Sequence, residues 1–478
     1  MKKKATLFAL AGLLVVLLTG AFLVILLQVT GEKETTKADA KDLTMFSAYT
    51  DIEAFKNVPA MVTEQGKIEN AMDYGSEDYL INVVGATTEE YTAYLSTLET
   101  AGFTKHSDNS GNDMTENVMT ASYTKENVTV TVSHAVKKDH TYIDVSLDLP
   151  LSDHLINKAE YTEGISADAK TKIHLVQLNY SGSSFVIQLK NGHFVIEDGG
   201  TKIEAPYLLD YLESLTPEGV TPVVEGWFIT HAHSDHSGAM GEIAMNSKYN
   251  KRVFVEGVYF VEPSAQHLAY LTLQPGTQEN YNITRAYQLF KTEAGEMPKL
   301  YRPQIGQVYY FCDITIDVTL TMEQIEMSSY ENKDFNDTST WLMHHIEGQK
   351  FLCGGDSRYA GQSIVMSLYD QEYFDVDIFA SLHHGINTYN YFVDYCNVDT
   401  LLYTSFRAGS IYNDGTWRAA LAANEHMRES VKEYYHYGDG TVVLTFPYKL
   451  GTAEILESFD WRYNGGTVTK DKEFHYGE

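Results

Sequence analysis

The chain has 478 residues, enough for more than one hydrophobic core, and its 44% hydrophobic content is that of a globular protein rather than a disordered one. A formal charge of −30 weighs against broad attraction to nucleic acid, whose phosphates it would repel at long range. Three cysteines, Cys312, Cys353 and Cys396, are an odd number and indicate no disulfide framework.

Met1 to Lys4 is basic, and Ala5 to Val29 carries no charge over about 25 residues, long enough for a helix to cross a bilayer. The lysines place the N-terminus in the cytoplasm and the rest outside. Small residues at Leu18 to Ala21 would suit cleavage of a signal peptide, but the apolar run continues through Phe22 to Leu27, so an uncleaved single-pass anchor over residues 1–30 is expected. Residues 31–44 are polar and read as a flexible tether. Tyr79 to Val84 reads as a strand, and Thr87 caps a helix over Glu89 to Ala101. Strands follow at Val118 to Tyr123, Val128 to Ser133 and Tyr142 to Leu147. Residues 45–150 therefore read as a small α/β domain of order βαβββ, with Tyr91, Tyr94, Leu95 and Leu98 packing its core.

The strand-like Trp227 to Thr230 runs directly into His231-Ala232-His233-Ser234-Asp235-His236. Imidazoles and carboxylates suit zinc, and a short loop leaving a strand aims alternate side chains at neighbouring points. His231 and His233 point to one cation, Asp235 and His236 to a second beside it. Two adjacent cations lower the pKa of a shared water to roughly 7 and clamp a reacting oxyanion, so the run suits a catalytic centre better than a structural zinc, which favours four filled positions and often cysteine. Residues 244–310 are rich in Tyr; Tyr259, Tyr270, Tyr281, Tyr287 and Tyr301 either cover a substrate or bury their rings. Lys350 to Asp356 reads as a buried strand ending in Gly354-Gly355-Asp356, whose carboxylate can bridge two ions. Val376 to Leu382 is a further strand and ends at His383-His384-Gly385. Ligands at successive strand ends are where open α/β sheets place their sites.

Taken together, the 231–236 run, Gly354-Gly355-Asp356 and His383-His384-Gly385 resemble the metallo-β-lactamase superfamily, over roughly residues 170–450. Phe194 to Gly200 resembles that fold's early strand ending in an Asp-Gly pair. Asn336 to Leu342, with the other motifs, is similar to the competence-type branch that includes the hydrolase domain of ComEC-like proteins. The resemblance implies an α/β fold, an αββα sandwich over residues 165–478. It implies His231 and His233 on the first ion, Asp235 and His236 on the second, Asp356 as bridge, and one of His383 and His384 completing the second site. His383 is preferred because it leaves the strand first. Asp198 is expected to orient ligands from behind. Many members carry another His midway; here His267 looks helical. If Glu347-Gly348 turns a hairpin, Asp356 falls opposite about residue 339 and His344 some 15 Å away, leaving Asn336, Asp337 or water to fill in.

These readings predict a membrane-anchored extracellular metallohydrolase with two Zn²⁺, or Mn²⁺ as supply dictates. Asp235 and Asp356 lie at its reaction centre, and a metal-bound hydroxide attacks a phosphodiester or related ester. The substrate is a small molecule or a cell-surface polymer. His384 is the candidate proton donor. Alternatives are a lactone or lactam hydrolase of the same fold and a surface receptor or assembly module without turnover.

Overall fold

Alternating Val, Thr and Tyr between residues 67 and 147 form a six-stranded antiparallel sheet. Its elements are β1 (Lys67–Gly75), β2 (Asp78–Val84), α1 (Thr88–Thr100), β3 (Thr104–Asp108), β4 (Val118–Lys125), β5 (Val128–Ala135) and β6 (His140–Leu147). The expected helix starts at a capping box: Thr87 Oγ1 accepts from Glu90 N–H, and the Glu90 carboxylate accepts from Thr87 N–H. The order βαβββ lacks β1 and β3. These are the two edges of the sheet, order β1-β2-β6-β5-β4-β3, and are too polar to show a strand pattern. Central β5 is buried at every position, because α1 covers one face through Tyr91, Tyr94 and Leu98 while the other packs on the remainder of the chain.

The computed structural model describes residues 52–75, 77–156, 165–178, 182–264, 267–268, 277–326, 334–404, 427–437, 440–456, 462–464 and 467–469. The expected anchor over residues 1–30 and tether over 31–44 lie outside the described residues. Among the described residues, no helix is long and apolar enough to cross a membrane.

A second sheet begins with β7 (Lys172–Leu175), β8 (Ser184–Gln188) and β9 (Phe194–Asp198), followed by α2 (Ala205–Ser214), β10 (Val223–Ile229) and α3 (Ser234–Met245). The short β11 (Phe254–Val255), then β12 (Gly257–Phe260), α4 (Thr277–Ala286) and β13 (Lys299–Tyr301) extend it. β9, β10, β12 and β13 run parallel, so β9 and β10 deliver their C-terminal ends to one edge. A third sheet, in chain order, holds β14 (Val308–Phe311), β15 (Ile314–Leu320), β16 (Trp341–Ile346), β17 (Gln349–Cys353), β18 (Ile378–Ala380), β19 (Thr400–Tyr403) and β20 (Glu433–His436). Short α5 (Met322–Glu326) follows β15, α6 (Tyr359–Leu368) follows β17 and α7 (Asn390–Cys396) follows β18. The chain then returns to the second sheet with β21 (Thr441–Thr445) and β22 (Glu454–Leu456).

These two sheets face each other across one apolar layer, where Phe185 of β8 meets Phe351 of β17 at 5.2 Å between ring centres. Leu208, Leu212, Met240 and Ile243 of α2 and α3 belong to that core; α6 and α7 cover the third sheet through Val365, Leu368, Phe392 and Val393. The result is an αββα sandwich. The β16–β17 hairpin turns at Glu347 and Gly348, both with positive φ (49° and 79°), as a two-residue turn requires. Leu342 pairs with Cys353, and continuing that register sets Asp356 opposite Ser339, whose Oγ accepts the Asp356 N–H at 3.1 Å.

Candidate metal centre

Four strand ends and one helix start meet at a single edge of the sandwich. β10 stops at Ile229; Thr230 to His233 form the loop, and α3 begins at Ser234 with His233 in the N-cap position. The loop presents His231 and His233, and the first helical turn presents Asp235 and His236. Behind them Asp198 ends β9 with φ +59°, fully buried. Its Oδ1 accepts the Thr230 N–H at 2.9 Å, and its Oδ2 accepts the His236 Nδ1–H at 2.7 Å. Asp198 thus fixes the imidazole so that Nε2 faces the cluster.

Gly354 and Gly355 bring Asp356 forward from β17. A Cβ at 355 would lie 2.8 Å from Thr230 Cβ, and Gly355 holds φ +53°, so only glycine lets this turn press against the histidine loop. Asp356 is buried, with Oδ1 3.1 Å from His236 Nε2 and Oδ2 3.9 Å from His231 Nε2. After β18, His383 and His384 both adopt left-handed backbone angles (φ 48° and 54°), a conformation costing about 1–2 kcal/mol per residue. The His383 N–H donates to Gly355 O at 3.1 Å, tying this turn to the glycine turn.

The strained turn decides which histidine enters the cluster. His384 Nδ1–H donates to Thr404 O at 3.0 Å, leaving Nε2 3.3 Å from both Asp235 Oδ2 and Asp356 Oδ2. His383 Nδ1 is held by Asn387 Oδ1, its Nε2 is 3.7 Å from Asp356, and its side chain is 20% exposed. His384, rather than the preferred His383, therefore falls within a group of convergent donor atoms. Among the described residues, two groups have donor atoms close enough for a cation: His231, His236 and Asp356, and Asp235, His236 and His384. His233 lies beside the first, its Nδ1 3.0 Å from His231 Nε2.

Asp337 falls outside both donor groups. Its buried carboxylate accepts from the Arg358 guanidinium and closes a cap with Asp334. Asn336 Oδ1 is buried without a hydrogen bond, and neighbouring Phe335 packs its ring 5.8 Å from His233. His344 sits opposite Phe351 with Nε2 2.5 Å from Glu197 in the sandwich interior, away from the cluster, as the register argument expected. Tyr259 is buried against Phe228 and Tyr301, which settles those two rings as core; Tyr270 lies outside the described residues. Sequence reasoning missed Thr404 and Asn387, which orient the histidine pair and carry no motif.

Burial pushes His231 well below the usual imidazole range, and it also lowers His383. Burial acts the same way on His236 and His384, yet the carboxylates outweigh it. Asp356 and Asp198 hold His236 well above the usual range, and Asp356 and Asp235 raise His384 to about 9. Asp356 moves oppositely: burial would raise it, but His236, His384 and His383 hold it well below. Nε2 of His236 and of His384 are buried without an aligned hydrogen bond. Such orphaned donors, converging with carboxylates on one point, are what divalent cations would satisfy.

The family model for the metallo-beta-lactamase superfamily matches residues 179–438. No curated protein matches. Among solved structures, zinc-bound PqqB from Methylobacterium extorquens is similar at 9% identity and TM-score 0.34, over 56% of this chain and 97% of that one. Tm1679, described as a metal-dependent hydrolase of the beta-lactamase superfamily, is similar at 12% identity and TM-score 0.33, over 56% and 95%.

Proposed function

Because the chain belongs to the metallo-beta-lactamase superfamily, whose model spans more than half of it, we propose that it is a metal-dependent hydrolase of a phosphodiester or related ester. The observation that carries this reading is the convergence of Asp356 with His231, His236 and His384 from three separate strand ends. The resemblance of Asn336 to Leu342 and the two downstream motifs to the competence-type branch supports the phosphodiester. The apolar run over residues 5–29 supports attachment to the outer face of a membrane.

The donor set fits zinc or manganese: His231, His236 and Asp356 form one group of convergent donors and Asp235, His236 and His384 the other, with His233 beside the first and His236 offering its one inward Nε2 to either. Two such cations, when bound, supply Lewis acidity and make a shared water acidic enough to attack near neutral pH. The chain's own groups do the rest. Asp198 and Thr404 hold protons on Nδ1 of His236 and His384, keeping each Nε2 lone pair directed inward. Asp356, its backbone N–H held by Ser339, turns Oδ1 toward His236 and Oδ2 toward His384 and His231. The role of proton carrier to the leaving group passes from His384 to His383, which is partly exposed and steadied by Asn387.

The test is metal content of the full chain together with turnover of bis(p-nitrophenyl) phosphate, a lactone and a β-lactam. About two equivalents and phosphodiester turnover that is lost in His233→Ala are expected. A fully metal-loaded protein that cleaves none of the three would mark a binding module instead, and unchanged activity in His233→Ala would refute the site.

A further inference from the structure

α6 follows the glycine turn that carries Asp356 and places Val365 and Leu368 in the apolar core under the third sheet. Gln362 shares that inward face with Val365 and is fully buried, at 0% exposure. Burying an amide costs free energy unless it is hydrogen-bonded, and a Leu or Met would fill the same place without that cost. Gln362 is bonded at both ends of its amide, and both bonds go to one turn. Its Nε2–H donates to Asn387 O at 2.8 Å, and its Oε1 accepts the Tyr389 N–H at 3.2 Å.

That turn presents the histidine pair. Thr388 Oγ1 accepts the Leu382 N–H at 2.6 Å and donates to Leu382 O at 3.2 Å, while the Ile386 N–H donates to His383 O at 2.8 Å. These bonds shape the turn from within. Gln362 holds it from outside, on the same segment that delivers Asp356. Asn387, its backbone carbonyl held by Gln362, accepts the His383 Nδ1–H on its own Oδ1, and His383 Nε2 stands 3.7 Å from Asp356 Oδ2. A chain of bonds thus runs from Gln362 through Asn387 to the imidazole beside the metal centre.

The geometry points to Gln362 as a positioning residue for hydrolysis: through Asn387 it sets where the His383 imidazole stands beside the leaving group. The inference rests on the hydrolase reading and on His383 as proton carrier. In the step it serves, the oxygen of the attacking hydroxide bonds phosphorus, and the bond from phosphorus to the leaving oxygen breaks with its electron pair on that oxygen. The leaving oxygen takes the proton of His383 Nε2. Nδ1 keeps its proton on Asn387, and the partly exposed His383 regains an Nε2 proton from water.

The zinc-loaded full chain is assayed with methyl p-nitrophenyl phosphate, whose leaving group departs as a stable anion, and with methyl phenyl phosphate, whose more basic leaving group needs a proton. Gln362→Met lowers kcat for the phenyl ester about 10- to 100-fold and for the p-nitrophenyl ester less than about two-fold, with KM and zinc content unchanged. Gln362→Glu, which keeps the size and the acceptor for the Tyr389 N–H but loses the donor to Asn387 O, acts in the same direction and carries the test if the Met variant does not fold. Asn387→Leu gives the same signature, and Asn387→Asp, which keeps an acceptor for His383, restores the wild-type pattern. Adding Gln362→Met to Asn387→Leu costs nothing further, because the two act in series. Equal losses for both esters, loss of zinc, or a double variant whose effects multiply overturns the proposal and marks Gln362 as structural. If the wild type cleaves neither ester, the hydrolase reading fails separately, and the link is read by NMR of the zinc-loaded chain labelled at its histidine ring nitrogens, with His383→Gln assigning the signal. A His383 signal that shifts in Gln362→Met while those of His231 and His236 stay sustains the link, and one that does not move overturns it.

Discussion

Asp198→Asn isolates the one interaction that sets the tautomer of His236. Asp198 accepts from Thr230 N–H and Oγ–H through Oδ1, at 2.9 and 3.0 Å, and from His236 Nδ1–H through Oδ2, at 2.7 Å. An asparagine that keeps its oxygen toward Thr230 must turn its amide donors toward His236 Nδ1. The imidazole then keeps Nδ1 as acceptor and carries its proton on Nε2, the atom 3.1 Å from Asp356, where it can no longer ligate. Losing such an orienting partner costs about 10- to 100-fold in metal affinity, or about 1.4–2.7 kcal/mol. Asparagine also tolerates the φ of +59°, so the turn survives. Asp198→Ala adds about 1–2 kcal/mol of backbone strain and about 1–3 kcal/mol for the unsatisfied Thr230 N–H, and should unfold more readily. Zinc affinity by chelator competition, beside thermal melts of both variants, separates these effects. Asp198→Asn with wild-type affinity would refute the reasoning, because the tautomer would then be set elsewhere.

His384→Gln should lose one metal equivalent and nearly all turnover, whereas His383→Gln keeps both metals and loses kcat; elemental analysis beside kinetics distinguishes them. In the metal-free protein His384 titrates at about 9, so zinc binding at pH 7 displaces its proton, and affinity climbs as pH rises toward 9, readable by calorimetry in buffers of different ionisation enthalpy. The same raised value means that its contribution to metal-free stability is fully present below pH 6.5 and is lost as pH rises through 9, which denaturant melts at pH 6 and 9.5 will show. Gly355→Ala sets a Cβ 2.8 Å from Thr230 at φ +53°, and should cost about 1–3 kcal/mol in a denaturant melt and weaken metal binding as Asp356 is pushed back.

The 231–236 run was legible because its geometry is local: a strand end, a tight loop and a first helical turn fix four side chains within six residues. Asp356 was legible as a carboxylate at the glycine-rich end of a buried strand, and its place opposite residue 339 followed from hairpin register, since a two-residue turn at Glu347-Gly348 leaves only one pairing. The choice between His383 and His384 was not. It is made by two successive left-handed residues and by Thr404, twenty positions away, and neither the strain nor the partner leaves a trace in the His-His-Gly pattern. Asp337 misled for the converse reason: its carboxylate has suitable chemistry, but Arg358, two residues past Asp356, claims it.

The same distinction governs the sheet at residues 67–147. Its four interior strands alternate visibly, while its attachment to the sandwich depends on charges that each read as a solvated surface residue in the sequence. Arg302, which follows β13, is buried with Asp78 of β2, Asp144 of β6 and Glu323 of α5 around it, and its guanidinium lies 3.9 Å from the centre of the Tyr74 ring. One cation among three carboxylates leaves an excess of negative charge, and burial pushes the Asp144 carboxyl well above its usual range. Nearby, Thr120 and Ser133 both donate to Ile305 O at 2.8 Å, and Gly306 at φ +87° admits Thr120 where a Cβ would stand 1.9 Å from its Oγ1. With the apolar contacts of Leu80, Met114, Val118, Ala135 and Tyr142, these polar contacts make a join with no periodicity, so local pattern identifies the sheet but not what it rests on.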